Sequence, residues 1–297
     1  MKIGVVGPGA IGTFLAGILG TKNEIDLIGR SPLDIDSVDI RGKTNLRTKV
    51  NYSDSVESIS GDELIIICTK SFDTHEAMNS LSGNLSPDSM VLSLQNGLIN
   101  EEIISEFVGK ERTIGGTTSN GVTYLEPGKV KHAGKGETVI GLFPEDRSEE
   151  IEKVCKIFNE AGLETKISEN ILENIWEKVI INSGINPITG ILKIKNGVLL
   201  EDEYLTELLE DTVMESVEVA NNYVEVDAKK ILKKTKKVAE GTSNNLSSML
   251  QDIKNESRTE IEQINGAIIG KAEQVGVSTP INEVLYKLVK GIESRYL

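Results

Sequence analysis

The chain has 297 residues, of which 38% are hydrophobic, so it can build one large domain or two ordinary ones with apolar cores. Its 46 acidic residues outnumber 32 basic ones, and the resulting net charge of −14 disfavours nucleic acid and anionic membranes as partners. The apolar runs are too short for a membrane span or a signal peptide, so we expect a cytoplasmic protein.

Cysteine usage agrees with that expectation. Cys68 and Cys155 lie far apart in hydrophobic contexts, with no CxxC motif and no Cys/His cluster. We therefore expect two reduced core thiols and no metal site.

Residues 1–168 alternate short β-rich runs with helical stretches. In chain order the runs are "KIGVVG", "EIDLIGR", "ELIIICTK", "SMVLSLQNG", "RTIGGTT" and "TVIGLF", and amphipathic segments lie at 71–83, 99–107 and 149–161. Aliphatic strands of this kind predict a mostly parallel, doubly wound sheet with helices on both faces. Two hairpins are predicted to interrupt it, at 37–53 and 122–134.

The first strand leads into "GPGAIG", residues 7–12, and then into a helix. This strand, glycine turn and helix match the Rossmann dinucleotide-binding pattern. Gly7 would permit the tight turn, Gly9 would let the backbone approach a pyrophosphate, and Gly12 would let helix and strand pack closely. The backbone of Gly9, Ala10 and Ile11 would then present N–H groups to the phosphates.

The second strand ends in Gly29-Arg30-Ser31, where NAD-binding folds place an acidic residue for the ribose 2′-hydroxyl. An arginine there favours the 2′-phosphate of NADP, because a guanidinium can donate forked, charge-assisted hydrogen bonds to phosphate. The alternative is that Arg30 is an ordinary solvated surface charge.

Residues 169–297 have almost no β-type alternation and predict an all-helical second domain. Within it, "ENIWEKVIINSGINPITG" places Lys178 and Asn182 four residues apart on one helix face. Asn186 follows at the same spacing, and we expect Pro187 to end the regular helix. A second polar concentration contains Asn245, Ser248 and Glu260.

Several motifs together closely resemble the ketopantoate reductases (2-dehydropantoate 2-reductases). They are the glycine turn, Lys70 in "CTKS", Asn96 in "LQNG", "WEKVIINSGINPITGI", Asn196-Gly197 and "NNLSSMLQDIKNESRTEIEQINGAIIG". The resemblance runs nearly end to end. It implies NADPH-dependent reduction of 2-dehydropantoate to (R)-pantoate, which feeds pantothenate and coenzyme A biosynthesis.

The resemblance also implies roles for individual residues. The catalytic lysine and glutamate of the family fall on Lys178 and Glu260. The cofactor positions fall on Gly7, Gly9, Ala10, Ile11, Gly12, Arg30, Lys70 and Asn96, and the substrate positions on Asn96, Asn182, Asn186, Asn245 and Ser248.

The chemistry of these residue types agrees with the implied reaction. Hydride attack on a keto carbon places negative charge on the carbonyl oxygen, which the Lys178 ammonium can stabilise and protonate. Glu260 could orient a substrate hydroxyl. On one straight helix, however, Ser248 and Glu260 would lie about 120° apart, so we expect the chain to break between them, at "KNES".

Other readings remain open at this stage. The same lysine and amides would serve reduction of another branched 2-keto acid, and a non-catalytic NADPH-binding redox sensor is an alternative from a different class.

"YKLVK" at 286–290 imitates a dehydrogenase Tyr-x-x-x-Lys motif but lacks its context, and His75 and His132 are expected to be structural or surface residues. An apolar helix face could be core or the interface of a homodimer.

Overall fold

The computed structural model describes residues 1–143 and 149–297. The chain divides into two compact units, Met1–Gln95 with Asn100–Asn174 and Asn96–Ile99 with Ile175–Leu297. The main division therefore falls a few residues after the predicted boundary at 168/169. The short segment Asn96–Ile99, which belongs to the second unit, has no counterpart in the prediction.

The first unit contains the strands that the described residues form. They are β1 (Lys2–Val6), β2 (Glu24–Ile28), β3 (Ser37–Gly42), β4 (Leu46–Lys49), β5 (Asn51–Ser53), β6 (Leu64–Ile67), β7 (Met90–Ser93), β8 (Thr113–Thr118), β9 (Gly121–Glu126), β10 (Lys129–Gly134), β11 (Thr138–Leu142) and β12 (Thr165–Ile167). Eight of them form one sheet in the order β12-β11-β8-β7-β6-β1-β2-β5. Neighbours in this sheet run parallel except β8 and β11.

Four helices cover this sheet: α1 (Ala10–Leu19), α2 (Thr74–Leu81), α3 (Asn100–Val108) and α4 (Glu149–Glu160). Alternate residues of β6 belong to different apolar clusters. Ile66 packs in a cluster with residues of α1 and α4, whereas Ile65 and Ile67 pack with residues of α2 and α3. Because alternate strand residues point to opposite faces, the two clusters lie on opposite sides of the sheet, and the doubly wound prediction is confirmed.

A smaller sheet has the order β4-β3-β10-β9. The antiparallel pairs β3/β4 and β9/β10 are the two predicted hairpins, and β3 and β10 join them in parallel. The first hairpin was predicted too long, because β5 pairs with β2 in the main sheet. His132, on β10, is buried between Thr44 and Asn120, with ring nitrogens 3.0 and 3.2 Å from their side-chain oxygens. It is the structural residue that the sequence predicted.

The second unit is helical. Residues 169–297, all of which the structure describes, contain no strand. Their helices are α5 (Ile171–Leu192), α6 (Glu203–Ala220), α7 (Ala228–Gly241), α8 (Ser248–Lys254), α9 (Ala267–Val275) and α10 (Pro280–Glu293). A short π-helical turn, Glu262–Gly266, precedes α9.

Pro187 was predicted to end the helix that carries Lys178, and this prediction is wrong, because Pro187 lies inside α5. Proline has no N–H, so the carbonyl of Ser183, four residues earlier, loses its partner within the helix. The side-chain amide of Asn265 donates to that carbonyl at 3.1 Å. A tertiary hydrogen bond thus replaces the missing helical one, which the local sequence does not reveal.

The two cysteines are free thiols, and burial raises the pKa of Cys68 to about 12. In the part of the chain that the structure describes, every helix is too short or too polar to cross a bilayer.

Candidate functional site

The glycine turn connects β1 to α1 at the point where the sheet order changes direction. Gly7 has φ +104°, and a Cβ there would lie 2.7 Å from the backbone nitrogen of Thr69. A Cβ on Gly12 would lie 2.0 Å from the carbonyl oxygen of Gly7. Both positions therefore require glycine, the first for its conformation and the second for close packing.

Gly9 is different, because a Cβ at this position would meet no atom within 4 Å. Gly9 is the N-cap of α1 and provides no capping side chain. The first N–H groups of a helix, here beginning at Ala10 and Ile11, have no partner within the helix itself. Backbone N–H groups and the positive end of a helix dipole favour a phosphate at such a position. The turn fits a pyrophosphate.

Arg30 follows β2 and Lys70 follows β6, the two strands that flank β1 in the main sheet. The Arg30 side chain, 59% exposed, places Nη2 3.0 Å from Oδ2 of Asp73 and 3.7 Å from Oε2 of Glu76. Asp73 in turn donates its backbone N–H to the carbonyl of Lys70 at 2.9 Å. Arg30 is thus near the Lys70 loop, and a phosphate at Arg30 would compete with two carboxylates.

A buried hydrogen-bond network shapes the loop that carries Lys70. Nε2 of Gln95 donates to the carbonyl of Thr69 at 3.0 Å and to Oγ1 of Thr74 at 2.9 Å. The Thr74 hydroxyl also donates to Oδ1 of Asn100 at 2.8 Å. Sequence reasoning missed this supporting role of Gln95, although the residue stands beside Asn96 in "LQNG".

In the second unit, Asn96 lies against Glu260. Nδ2 of Asn96 donates to Oε2 of Glu260 at 2.9 Å, although the residues are 164 positions apart. Glu260 is only 6% exposed, so this contact stabilises a largely buried carboxylate. Gly97, with φ +103°, permits the approach, since a Cβ there would lie 2.9 Å from Cβ of Gln263.

The helix α5 carries Lys178, Asn182 and Asn186 at intervals of four residues, which places them along one face. Lys178 and Asn182 are half-buried and Asn186 is buried. The helix places one cationic group and two amides in a row that a small anionic substrate could contact.

The start of α8 lies against the C-terminal part of α5. The hydroxyls of Thr189 and Ser247 are 2.7 Å apart, and Oγ of Ser247 caps α8 by accepting from the backbone N–H of Leu250 at 3.2 Å. Ser248, the first residue of α8, is exposed beside this contact. The predicted serine is therefore fixed next to the helix that carries the predicted lysine.

Asn196 is a candidate binding residue to which sequence reasoning assigned no role. Its backbone N–H donates to the carbonyl of Asn245 at 3.1 Å, and its Nδ2 donates to Oγ1 of Thr242 at 2.9 Å. Its Oδ1 is buried and accepts no hydrogen bond from the described residues. Asn245 itself is exposed, and the backbone contact ties it to Asn196.

The chain breaks between Ser248 and Glu260 as predicted. The helix α8 ends at Lys254, and Glu256 has φ +52°. Beyond the break, the backbone N–H and hydroxyl of Thr259 both donate to Oε1 of Glu293 at 2.7 Å. The Glu293 carboxylate therefore anchors the residue next to Glu260.

Lys290, the last residue of "YKLVK", forms an ion pair with the same Glu293. Its Nζ lies 2.9 Å from Oε2 of Glu293 and 2.8 Å from Oε1 of Glu262. The hydrogen bond to Glu262, supported by Glu293, raises the pKa of Lys290. Lys290 is thus a structural ion-pair partner.

The structure places the predicted residues in two sets. Gly7–Gly12, Arg30 and Lys70 lie in the first unit, whereas Asn96, the α5 residues, Asn245, Ser248 and Glu260 lie in the second. Among residues 1–143 and 149–297, no group of three or more His, Cys, Asp or Glu side chains is arranged to hold a metal ion.

Comparisons with known proteins identify the family. The model "Ketopantoate reductase PanE/ApbA" matches residues 3–145, and "Ketopantoate reductase PanE/ApbA C terminal" matches residues 170–293. A 2-dehydropantoate 2-reductase of Pyrococcus horikoshii is 43% identical, with 99% of this chain and 98% of the relative covered.

Solved structures agree. A PanE/ApbA family ketopantoate reductase from Ralstonia eutropha JMP134 has a TM-score of 0.91 at 27% identity and covers 100% of this chain and 99% of its own. A D-mandelate dehydrogenase with NADH and anilino(oxo)acetate has the same TM-score, identity and coverages. Since the family models match most of the chain, the protein belongs to the ketopantoate reductase family.

Proposed function

We propose that this protein reduces 2-dehydropantoate to (R)-pantoate with NADPH, a step of pantothenate and coenzyme A biosynthesis. The observation that carries the proposal is the assembly in the second unit. There Asn96 contacts Glu260, and the helix with Lys178, Asn182 and Asn186 is joined to the start of α8. The 43% identity to a 2-dehydropantoate 2-reductase supports the same substrate.

The residues 1–168 would bind the cofactor, and 169–297 with Asn96 would bind the substrate. The open N-terminus of α1 at Gly9 would receive the pyrophosphate. Arg30 and Lys70 would provide positive charge for the 2′-phosphate of NADPH. Arg30 would give up its ion pair with Asp73 to bind this phosphate. When bound, NADPH would supply the hydride for the keto carbon.

Lys178 acts on the carbonyl oxygen. As the keto carbon is reduced, the oxygen gains negative charge, which the ammonium group stabilises before giving it a proton. Glu260 accepts a hydrogen bond from the substrate hydroxyl and so orients the substrate against Lys178. Asn96 holds Glu260 in place through the 2.9 Å contact.

The neutral polar groups bind the substrate. Amides and hydroxyls donate directional hydrogen bonds to a carboxylate and accept them from a hydroxyl. Asn182, Asn186 and Ser248 provide such groups along α5 and at the start of α8. Asn245, whose backbone carbonyl accepts from the N–H of Asn196, provides another.

A second candidate is reduction of another 2-keto acid. The likeness to a D-mandelate dehydrogenase favours this alternative, because the same fold there holds anilino(oxo)acetate and NADH. The lysine and amides described above would serve either substrate.

A substrate panel distinguishes these candidates. NADPH oxidation is followed with ketopantoate, 2-ketoisovalerate and phenylglyoxylate, the keto acid that corresponds to mandelate. We expect ketopantoate to have the highest kcat/KM. A tenfold preference for either of the others would replace the proposal with the broader 2-keto acid reductase activity.

A cytoplasmic location is part of the proposal, and the two free thiols support it because reducing compartments keep cysteines in that state. A homodimer is also part of the proposal. Light scattering of the purified protein tests the homodimer directly.

A further inference from the structure

We propose that Asn265 is a positioning residue that holds the segment carrying Glu260 in register with the helix carrying Lys178. The proposal rests on the proposed function, because it assumes that these two residues act on one substrate. Asn265 lies in the π-helical turn Glu262–Gly266 and is completely buried.

The first contact of Asn265 is to α5. Pro187 deprives the Ser183 carbonyl of its helical partner, and Nδ2 of Asn265 donates to that carbonyl at 3.1 Å. Ser183 directly follows Asn182 and lies between Lys178 and Asn186. The hydrogen bond therefore attaches to α5 within the stretch that carries the predicted catalytic and binding side chains.

The backbone of Asn265 is connected to Glu260 through one turn. The N–H groups of Gln263 and Ile264 donate to the carbonyl of Glu260 at 3.1 and 3.0 Å. The wide π turn then follows, and such turns are rare in proteins and frequent at functional sites. Displacing Asn265 would therefore move Glu260 with it.

The orientation of the Asn265 amide follows from its neighbours. Nδ2 of Asn282 donates to the carboxylate of Glu215 at 2.9 Å, so the other end of that amide, Oδ1, faces Asn265. Asn265 must then present Nδ2 to Asn282, at 3.0 Å, and the same nitrogen reaches Ser183. Its own Oδ1 accepts no hydrogen bond from the described residues, so Asn265 serves as a donor.

Asn265→Ala tests the role in the full-length protein. We expect kcat for ketopantoate to fall by about 10- to 100-fold, the effect of a small misplacement of catalytic groups, while the Kd for NADPH changes less than about twofold. Asn265→Leu, which keeps the side-chain volume, is the second variant if the alanine variant unfolds. Thr235→Ala is the control, because it removes a completely buried polar group of the same unit, whose hydroxyl donates to the carbonyl of Ile231, and leaves the contacts of Asn265 with Ser183 and Asn282 in place.

A change at Pro187 separates positioning from simple stabilisation. Pro187→Ala restores an N–H for the Ser183 carbonyl, so Asn265→Ala should lower Tm less in this background. Because the added N–H does not connect α5 to the Glu260 segment, the loss of kcat should be the same in both backgrounds. Recovery of kcat together with Tm would mean that Asn265 only satisfies the carbonyl, and would overturn the proposal.

The proposed function and the role of Asn265 would be refuted by different results. No turnover of ketopantoate by the unmodified protein would refute the proposed function, and the role of Asn265 with it. Normal turnover by the unmodified protein and by folded Asn265→Ala or Asn265→Leu would refute only the positioning role. Equal losses of kcat in Asn265→Ala and Thr235→Ala would refute it as well.

Discussion

The hydrogen bond between Asn96 and Glu260 can be tested by removing its donor. The Glu260 carboxylate is 6% exposed and accepts a hydrogen bond from Nδ2 of Asn96 at 2.9 Å, and Asn96→Ala removes this donor. A hydrogen bond to a charged group contributes about 1.5–3 kcal/mol. If that contribution is realised in the transition state, kcat/KM for ketopantoate should fall about 10- to 150-fold.

The assay is a double-mutant cycle with Asn96→Ala, Glu260→Ala and the double variant, read as kcat/KM from NADPH oxidation. Because Asn96 acts largely through Glu260, its substitution should cost much less once Glu260 is gone, with a coupling of at least about 1 kcal/mol. Circular dichroism and NADPH titration control for folding and cofactor binding. Equal losses in the two backgrounds would refute the inferred pairing.

Four further outcomes are expected. Arg30→Ala should lower kcat/KM with NADPH by about tenfold and leave NADH unchanged, whereas Asp73→Asn should tighten NADPH binding in titrations by removing a competing carboxylate. Gly9→Val should weaken both cofactors together in the same titrations, because its side chain would fill the space at the start of α1. Burial raises the pKa of Asp62 from 3.8 to about 6, so the folded protein binds this proton more tightly than the unfolded chain does. The free energy of unfolding should therefore fall, by up to about 3 kcal/mol, as the pH rises from about 4 to about 6, and urea titrations of Asp62→Asn should lack this slope.

The sequence predicts the first unit well because its signals are local. Four successive buried residues in β6 and in β7 indicate central parallel strands, and the glycines of the turn are dictated by backbone geometry. The break after α8 was also predictable, since Ser248 and Glu260 cannot share a face of one straight helix. The roles of Lys178 and Glu260, by contrast, came from family resemblance, because a lone lysine or glutamate has no chemical signature.

What the sequence could not provide are the contacts between distant positions. Pro187 looks like a helix end until the amide of Asn265 is placed beside Ser183. Arg30 looks like a free phosphate ligand until Asp73, 43 positions later, is found 3.0 Å away. Both contacts join positions that are distant in the sequence, so no local pattern reveals them; the first corrects the predicted helix end, and the second adds a competitor for the phosphate predicted at Arg30.

We propose that Lys178 protonates the carbonyl oxygen of the substrate, and the Lys178→Ala variant tests this role. With saturating NADPH and ketopantoate, kcat should fall by roughly 10²- to 10⁴-fold, while the Kd for NADPH and the Tm stay close to those of the unmodified protein. A folded Lys178→Ala variant that binds NADPH and keeps the kcat of the unmodified protein would contradict the claim.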